Sequence, residues 1–175
     1  MKLLRRGNLW VAACILAAGF AAAQSKPASG PAAGTSAALD QLKTLIGAWE
    51  GTKADDKPVR ISYEVTSGGS ALLERLKMAD ESEMVTLYTA DGDRVAVTHY
   101  CSAGNQPQMR TEPIAGAATK FTFSFVRVSN LASPTAGHMR QLVITLQDHA
   151  HFTQEWTWKE NGKTGMELFR FTRKS

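Results

Sequence analysis

From Trp49 to the C-terminus apolar and polar residues alternate in segment after segment, and no helical period interrupts them. A side-chain period of two marks extended strands with one buried face. RISYEV sets Ile61, Tyr63 and Val65 on one face, and GGSALLERLKM sets Leu72, Glu74, Leu76 and Met78 together. EMVTLYTADGDRVAVTHYC reads as two strands joined at Asp91-Gly92, and HFTQEWTWKENGKTGMELFRF as two more joined at Asn161-Gly162. Both dipeptides are strong hairpin signals. KFTFSFVRV aligns Phe121, Phe123 and Phe125, and MRQLVITLQ aligns Leu142, Ile144 and Leu146. The count comes to about ten strands, with no helices between them to carry parallel crossovers. One antiparallel sheet this long must curl or close, because closure removes its exposed edges. The expected fold class is therefore all-β, a single up-and-down antiparallel β-barrel that can hold one small ligand.

What precedes the strands divides in three. Residues 1–23 have a basic start (Lys2, Arg5, Arg6), an apolar run from Leu9 to Phe20 and Ala21-Ala22-Ala23 as a small-residue cleavage site. That is the layout of a cleaved secretory signal peptide, and its apolar run is too short for a stable membrane anchor. A rival reading takes Val11-Ala12-Ala13-Cys14 as a lipoprotein box, which would leave almost no apolar region ahead of Cys14. Residues 24–36 are rich in Pro, Gly and small side chains and read as a flexible linker. Ser36 then caps a short helix, AALDQLKTLIG, with Leu39, Leu42 and Ile46 on one face and Gly47 as its stop. Residues 37–175 form one domain.

Removing the leader takes three basic residues and no acidic ones, so the formal charge falls from +4 to +1. So neutral a chain has no electrostatic footprint for nucleic acid. The expected location is the periplasm or outside the cell. Cys101 is then the one mature cysteine, which rules out an internal disulfide and leaves it inert and buried, a reactive thiol or a link between two copies.

Helix, LIGAWEG and β-meander together resemble the lipocalin-like (calycin) superfamily. The resemblance implies that Gly47, Ala48 and Trp49 open the first strand and that Trp49 closes the barrel floor against Arg170 or Arg173. More narrowly, LIGAWEG, GGSALLE and VTHYCSAGNQP are similar to exported bacterial lipocalin-like domains, which implies a fold and a compartment but no activity. A more distant similarity is to nitrobindin-like haem barrels, which ligate iron through a histidine on the final strand. MELFRFTRK has none, so the resemblance carries over no haem and no cofactor is expected.

The candidate site comes from parity. Val95, Val97, His99 and Cys101 share a face, which the valines turn inward. Two ligands fall short of the three that even an open zinc site needs, so no metal is expected. His99 reads as a hydrogen-bonded core histidine or as a polar anchor for a ligand. Glu74 is the sharper anomaly, because alternation buries its carboxylate between Leu72 and Leu76, at high cost unless it is paired. Arg110 and His99 are candidate partners, and a bulge that turns Glu74 outward is the alternative. Gln154, between Phe152 and Trp156, is a third inward polar group. Gly104-Asn105 reads as a turn, residues 129–138 as the one long loop, and His149-x-His151 beside Asp148 as solvent-facing. The inward set of Phe121, Phe123, Phe125, Trp156, Trp158 and Leu76 is the usual make-up of a ligand pocket.

The expected function is an exported binding module for a small apolar or amphipathic molecule. Its expected contacts are Glu74, His99, Arg110, Gln154 and Trp156. An enzyme with Glu74 or His99 as general base, and a structural envelope protein with a filled barrel, are the competing readings.

Overall fold

The computed structural model describes residues 37–175. The leader, the linker and the Ser36 cap lie outside the described residues. Helix α1 (Ala37–Leu42) tightens into a 3-10 turn (Lys43–Leu45), and ten strands follow: β1 (Gly47–Thr52), β2 (Pro58–Thr66), β3 (Ala71–Met78), β4 (Met84–Asp91), β5 (Arg94–Tyr100), β6 (Gln106–Arg110), β7 (Lys120–Ser129), β8 (His138–Leu146), β9 (His151–Glu160) and β10 (Lys163–Arg173). Each strand pairs antiparallel with its successor, and β10 returns to β1, so the sheet closes on itself with no edge. The all-β, up-and-down barrel expected from the alternation is the fold observed.

Three details of strand, turn and helix differ from the sequence reading. Val65 does not follow Ile61 and Tyr63 into the core but stands 41% exposed near the end of β2. Asp91 pairs with Arg94, so the β4–β5 turn sits on Gly92-Asp93, one residue later than expected. Leu45, not Ile46, completes the buried face of the helix, because the 3-10 turn rotates the last residues and leaves Ile46 45% exposed. Leu39, Leu42 and Leu45 plug one end of the barrel, and the helix touches β4 and β5 there.

That closed end explains the LIGAWEG stretch. Trp49 is buried, donates from Nε1 to the Leu45 carbonyl at 2.7 Å and meets the Phe152 ring edge-on at 4.7 Å. Arg173, not Arg170, lies over its ring, with the guanidinium carbon 4.0 Å from the ring centroid. The same guanidinium donates to the carbonyls of Thr44, Ile46 and His149, so one side chain ties the helix and the β8–β9 turn to the floor. Burying the indole contributes about 2–3 kcal/mol, and the cation–π contact about 0.5–2 kcal/mol more. The second glycine of the motif permits a close approach: a Cβ on Gly51 would fall 2.2 Å from the Arg170 carbonyl oxygen and 2.6 Å from the Phe171 ring.

At the opposite end the strands splay. Between Gln108 and Met109 the β6–β7 register shifts, so Val126 on β7 has no partner and the inward parity of β7 moves from Phe121 and Phe123 to Val128. Phe125 sits at that bulge and is only half-buried, under the Arg140 guanidinium at 3.6 Å. The sequence reading also missed a second long connection. Residues 111–119 cross the closed end, where the Ala118 amide donates to the Gln41 side chain.

Candidate functional site

Hairpin register places four side chains in one row across four neighbouring strands. Tyr63 of β2 is paired with Glu74 of β3, Glu74 with Thr86 of β4, and Thr86 with His99 of β5. Directly paired residues on one face bring their Cβ atoms to about 5 Å, so the row becomes a continuous polar seam inside the barrel. All four side chains are buried.

The seam centres on Glu74, which is fully enclosed. Its Oε2 accepts from the Tyr63 hydroxyl at 2.8 Å, the Tyr88 hydroxyl at 2.5 Å and the Gln154 amide at 2.8 Å. Gln154 reaches it from β9, on the far side of the lumen. Thr86 Oγ1 lies 3.2 Å from Oε1 and 2.9 Å from His99 Nδ1. Trp156 Nε1 donates to the Gln154 carbonyl oxygen at 2.9 Å, which fixes the orientation of that amide. Among the described residues the carboxylate has no cationic partner, and neutral hydroxyl and amide donors replace the ion pair that sequence alone suggested. Burial pushes the Glu74 pKa up, and the bonds from Tyr88, Tyr63, Gln154 and Thr86 pull it back. Burial, and then the Glu74 charge, hold both tyrosines protonated well above their ordinary range.

Above the seam lies a cavity of about 400 Å³ at the end away from the helix. Leu76, Met78 and Met84 form one wall, and Met139, Trp158 and Phe169 the other. Trp156 and His99 form its base, their rings tilted with centroids 4.6 Å apart. Glu81 and Glu167 stand at the rim, the latter bridged to Lys53 at 2.5 Å. His99 is 1% exposed, and burial lowers its pKa to about 4, so it is neutral at physiological pH. Its Nε2 is buried and has no hydrogen-bond partner among the described residues. A buried polar atom left without a partner is costly. Cys101 borders the same cavity, half-buried, with its thiol pKa raised by burial.

Four of the five expected contact residues therefore gather in the lumen, in two tiers. His99 and Trp156 face the cavity, whereas Glu74 and Gln154 lie beneath it and do not border it. Arg110 is not among them. Its side chain stands outside the barrel, half-exposed, and pairs with Asp91 at 3.0 Å, because the row of β6 that faces inward is Pro107 and Met109. His151 likewise pairs with Asp148 on the surface, and the described residues contain no cluster of three or more metal-binding side chains.

Sequence reasoning missed Thr86, which joins the two anomalies, although Met84, Thr86 and Tyr88 alternate visibly in EMVTLYT. It also missed Gly137, where a Cβ would fall 1.9 Å from the Trp158 ring. That glycine lets the backbone at 137 pass close against the indole, and Asn105 Nδ2 donates to the Gly137 carbonyl at 2.9 Å. The turn itself centres on Ser102-Ala103, closed by the Gly104 N–H donating to the Cys101 carbonyl at 2.9 Å, two residues before the expected Gly104-Asn105.

No protein-family model matches the chain, and no curated protein matches it in sequence. Among solved structures it is similar to the crystal structure of Rv2717c from M. tuberculosis. The match covers 80% of this chain and 99% of that one at 11% identity, with a TM-score of 0.56. The likeness is one of fold. It places this chain with a barrel of known structure and, at that identity, assigns no ligand.

Proposed function

We propose that this chain is an exported lipocalin-like barrel that holds a small, largely apolar molecule in its open end. The observation that carries the reading is the cavity itself, apolar on both walls with one unpartnered polar atom at its base. Such a combination of apolar lining and a single orienting group is typical of small-molecule sites. Four methionines border the cavity, Met78, Met84, Met139 and Met166, and their flexible thioethers adapt to ligands of different shape. The filled-barrel reading is disfavoured by the size of the cavity. The general-base reading is disfavoured for Glu74, whose carboxylate is enclosed and does not border it.

A plug tests the proposal. A Cβ at Gly165, on the cavity wall, meets nothing within 4 Å, so Gly165→Phe starts its ring in open space on that wall. The neutral fluorescent probe N-phenyl-1-naphthylamine should bind the unaltered protein saturably. Gly165→Phe should abolish that binding and shift the melting temperature by only a few degrees. Equal binding by the plugged variant would place the probe elsewhere and end the proposal. Export has its own check: the protein taken from its host should begin at Gln24, and an intact leader or a lipidated Cys14 would overturn it.

A further inference from the structure

We infer that the cavity selects molecules bearing a hydrogen-bond donor, a hydroxyl or an N–H, over acceptor-only molecules of the same size, because Glu74 and Thr86 lock His99 in the tautomer whose Nε2 is bare. The inference rests on the binding reading above and deepens it.

The polarity of the seam can be followed proton by proton. The indole of Trp156 can only donate, so the Gln154 oxygen faces it and the Gln154 NH2 faces Tyr63 and Glu74. Tyr63 accepts from that amide and sends its own proton to Glu74 Oε2, as does Tyr88. Oε2 takes three donors, and above the raised pKa of Glu74 its Oε1 carries no proton and can only accept. The Thr86 proton then goes to Oε1, and the Thr86 oxygen is left to accept from His99 Nδ1. A neutral imidazole carries one proton. With that proton on Nδ1, Nε2 presents a lone pair at the base of the cavity, buried and without a partner. A ligand hydroxyl satisfies it, whereas an ether oxygen at the same place meets lone pair with lone pair.

The test uses two isomers of equal atom count, 1-octanol and 1-methoxyheptane, titrated against the protein with Trp156 and Trp158 fluorescence as the readout. The alcohol should bind about tenfold tighter, the factor that about 1.4 kcal/mol corresponds to. His99→Phe keeps a ring against Trp156 and removes the acceptor, so both isomers should bind equally. Glu74→Gln should erase the preference, because hydroxyl and ether oxygens accept equally well from a protonated Nε2. Its oxygen must serve Tyr63, Tyr88 and Gln154, so its NH2 faces Thr86, whose proton turns to His99 Nδ1 and leaves Nε2 protonated. Nitrogen-15 NMR of the unaltered protein reads the tautomer without any variant, and a protonated Nε2 would overturn the inference. Equal binding of the isomers to the unaltered protein would also overturn it and leave the binding reading standing. If neither isomer nor the naphthylamine probe binds, both fall together.

Discussion

Glu74→Ala should melt about 10–20 °C below the unaltered protein, a loss of roughly 3–5 kcal/mol. The substitution removes no ion pair. It removes the one acceptor that Tyr63, Tyr88, Thr86 and Gln154 share inside a closed barrel. Each stranded donor costs about 1–3 kcal/mol when no water reaches it, and the excised carboxyl leaves a void besides. Water admitted from the cavity above would recover part of this, which keeps the expected loss below the simple total. Chemical denaturation monitored by tryptophan fluorescence measures it. A loss under about 1 kcal/mol would show that the donors repair themselves and that the seam contributes little to stability. Glu74→Gln should cost far less, because one amide oxygen still serves the three donors on that side.

How much of this was legible in the sequence depends on which link of the argument is asked for. Strand direction, barrel closure and the inward aspect of Glu74, His99 and Gln154 follow from parity, a local property that each segment carries on its own. The Trp49 floor also showed, although only the structure chooses Arg173 over Arg170. Register is different. That Tyr63, Glu74, Thr86 and His99 form one row depends on three successive turns, and the β4–β5 turn was placed one residue early. Thr86 therefore stayed hidden, although its face was readable. Arg110 was misplaced for a related reason: an unpaired buried carboxylate suggests a cation, yet β6 turns Met109 inward and Arg110 out. Nothing local to Glu74 says that two tyrosines and an amide from across the lumen will serve in place of a positive charge. Val128 shows the limit of parity itself: Phe125 still pairs with inward Met109, and the bulge at Val126 then resets the alternation so that Val128 meets Pro107.

Acid should destabilise the protein through His99, and by an amount a single variant can isolate. Its pKa falls from 6.5 in the open chain to about 4 in the barrel, because burial disfavours the imidazolium. A lowered pKa means that the unfolded chain takes up the proton first. The stabilisation is therefore complete above pH 6.5 and is lost as the pH drops through about 4. At about 1.4 kcal/mol per pH unit of separation, the loss across that window is about 3 kcal/mol. Glu74 acts in the opposite sense. Its pKa is raised, so its contribution is full below the ordinary carboxyl value of 4.5 and is lost as the pH rises through the folded one. The two partly cancel in the unaltered protein, which makes the raw pH–stability curve a poor witness. The difference between the unaltered protein and His99→Phe removes the Glu74 share, because both chains keep that carboxyl. That difference should grow by about 3 kcal/mol in favour of His99→Phe between pH 6.5 and pH 4. Parallel curves would mean that the imidazole reaches water and titrates as it does in the open chain, and the buried, bare Nε2 at the base of the cavity would then not exist.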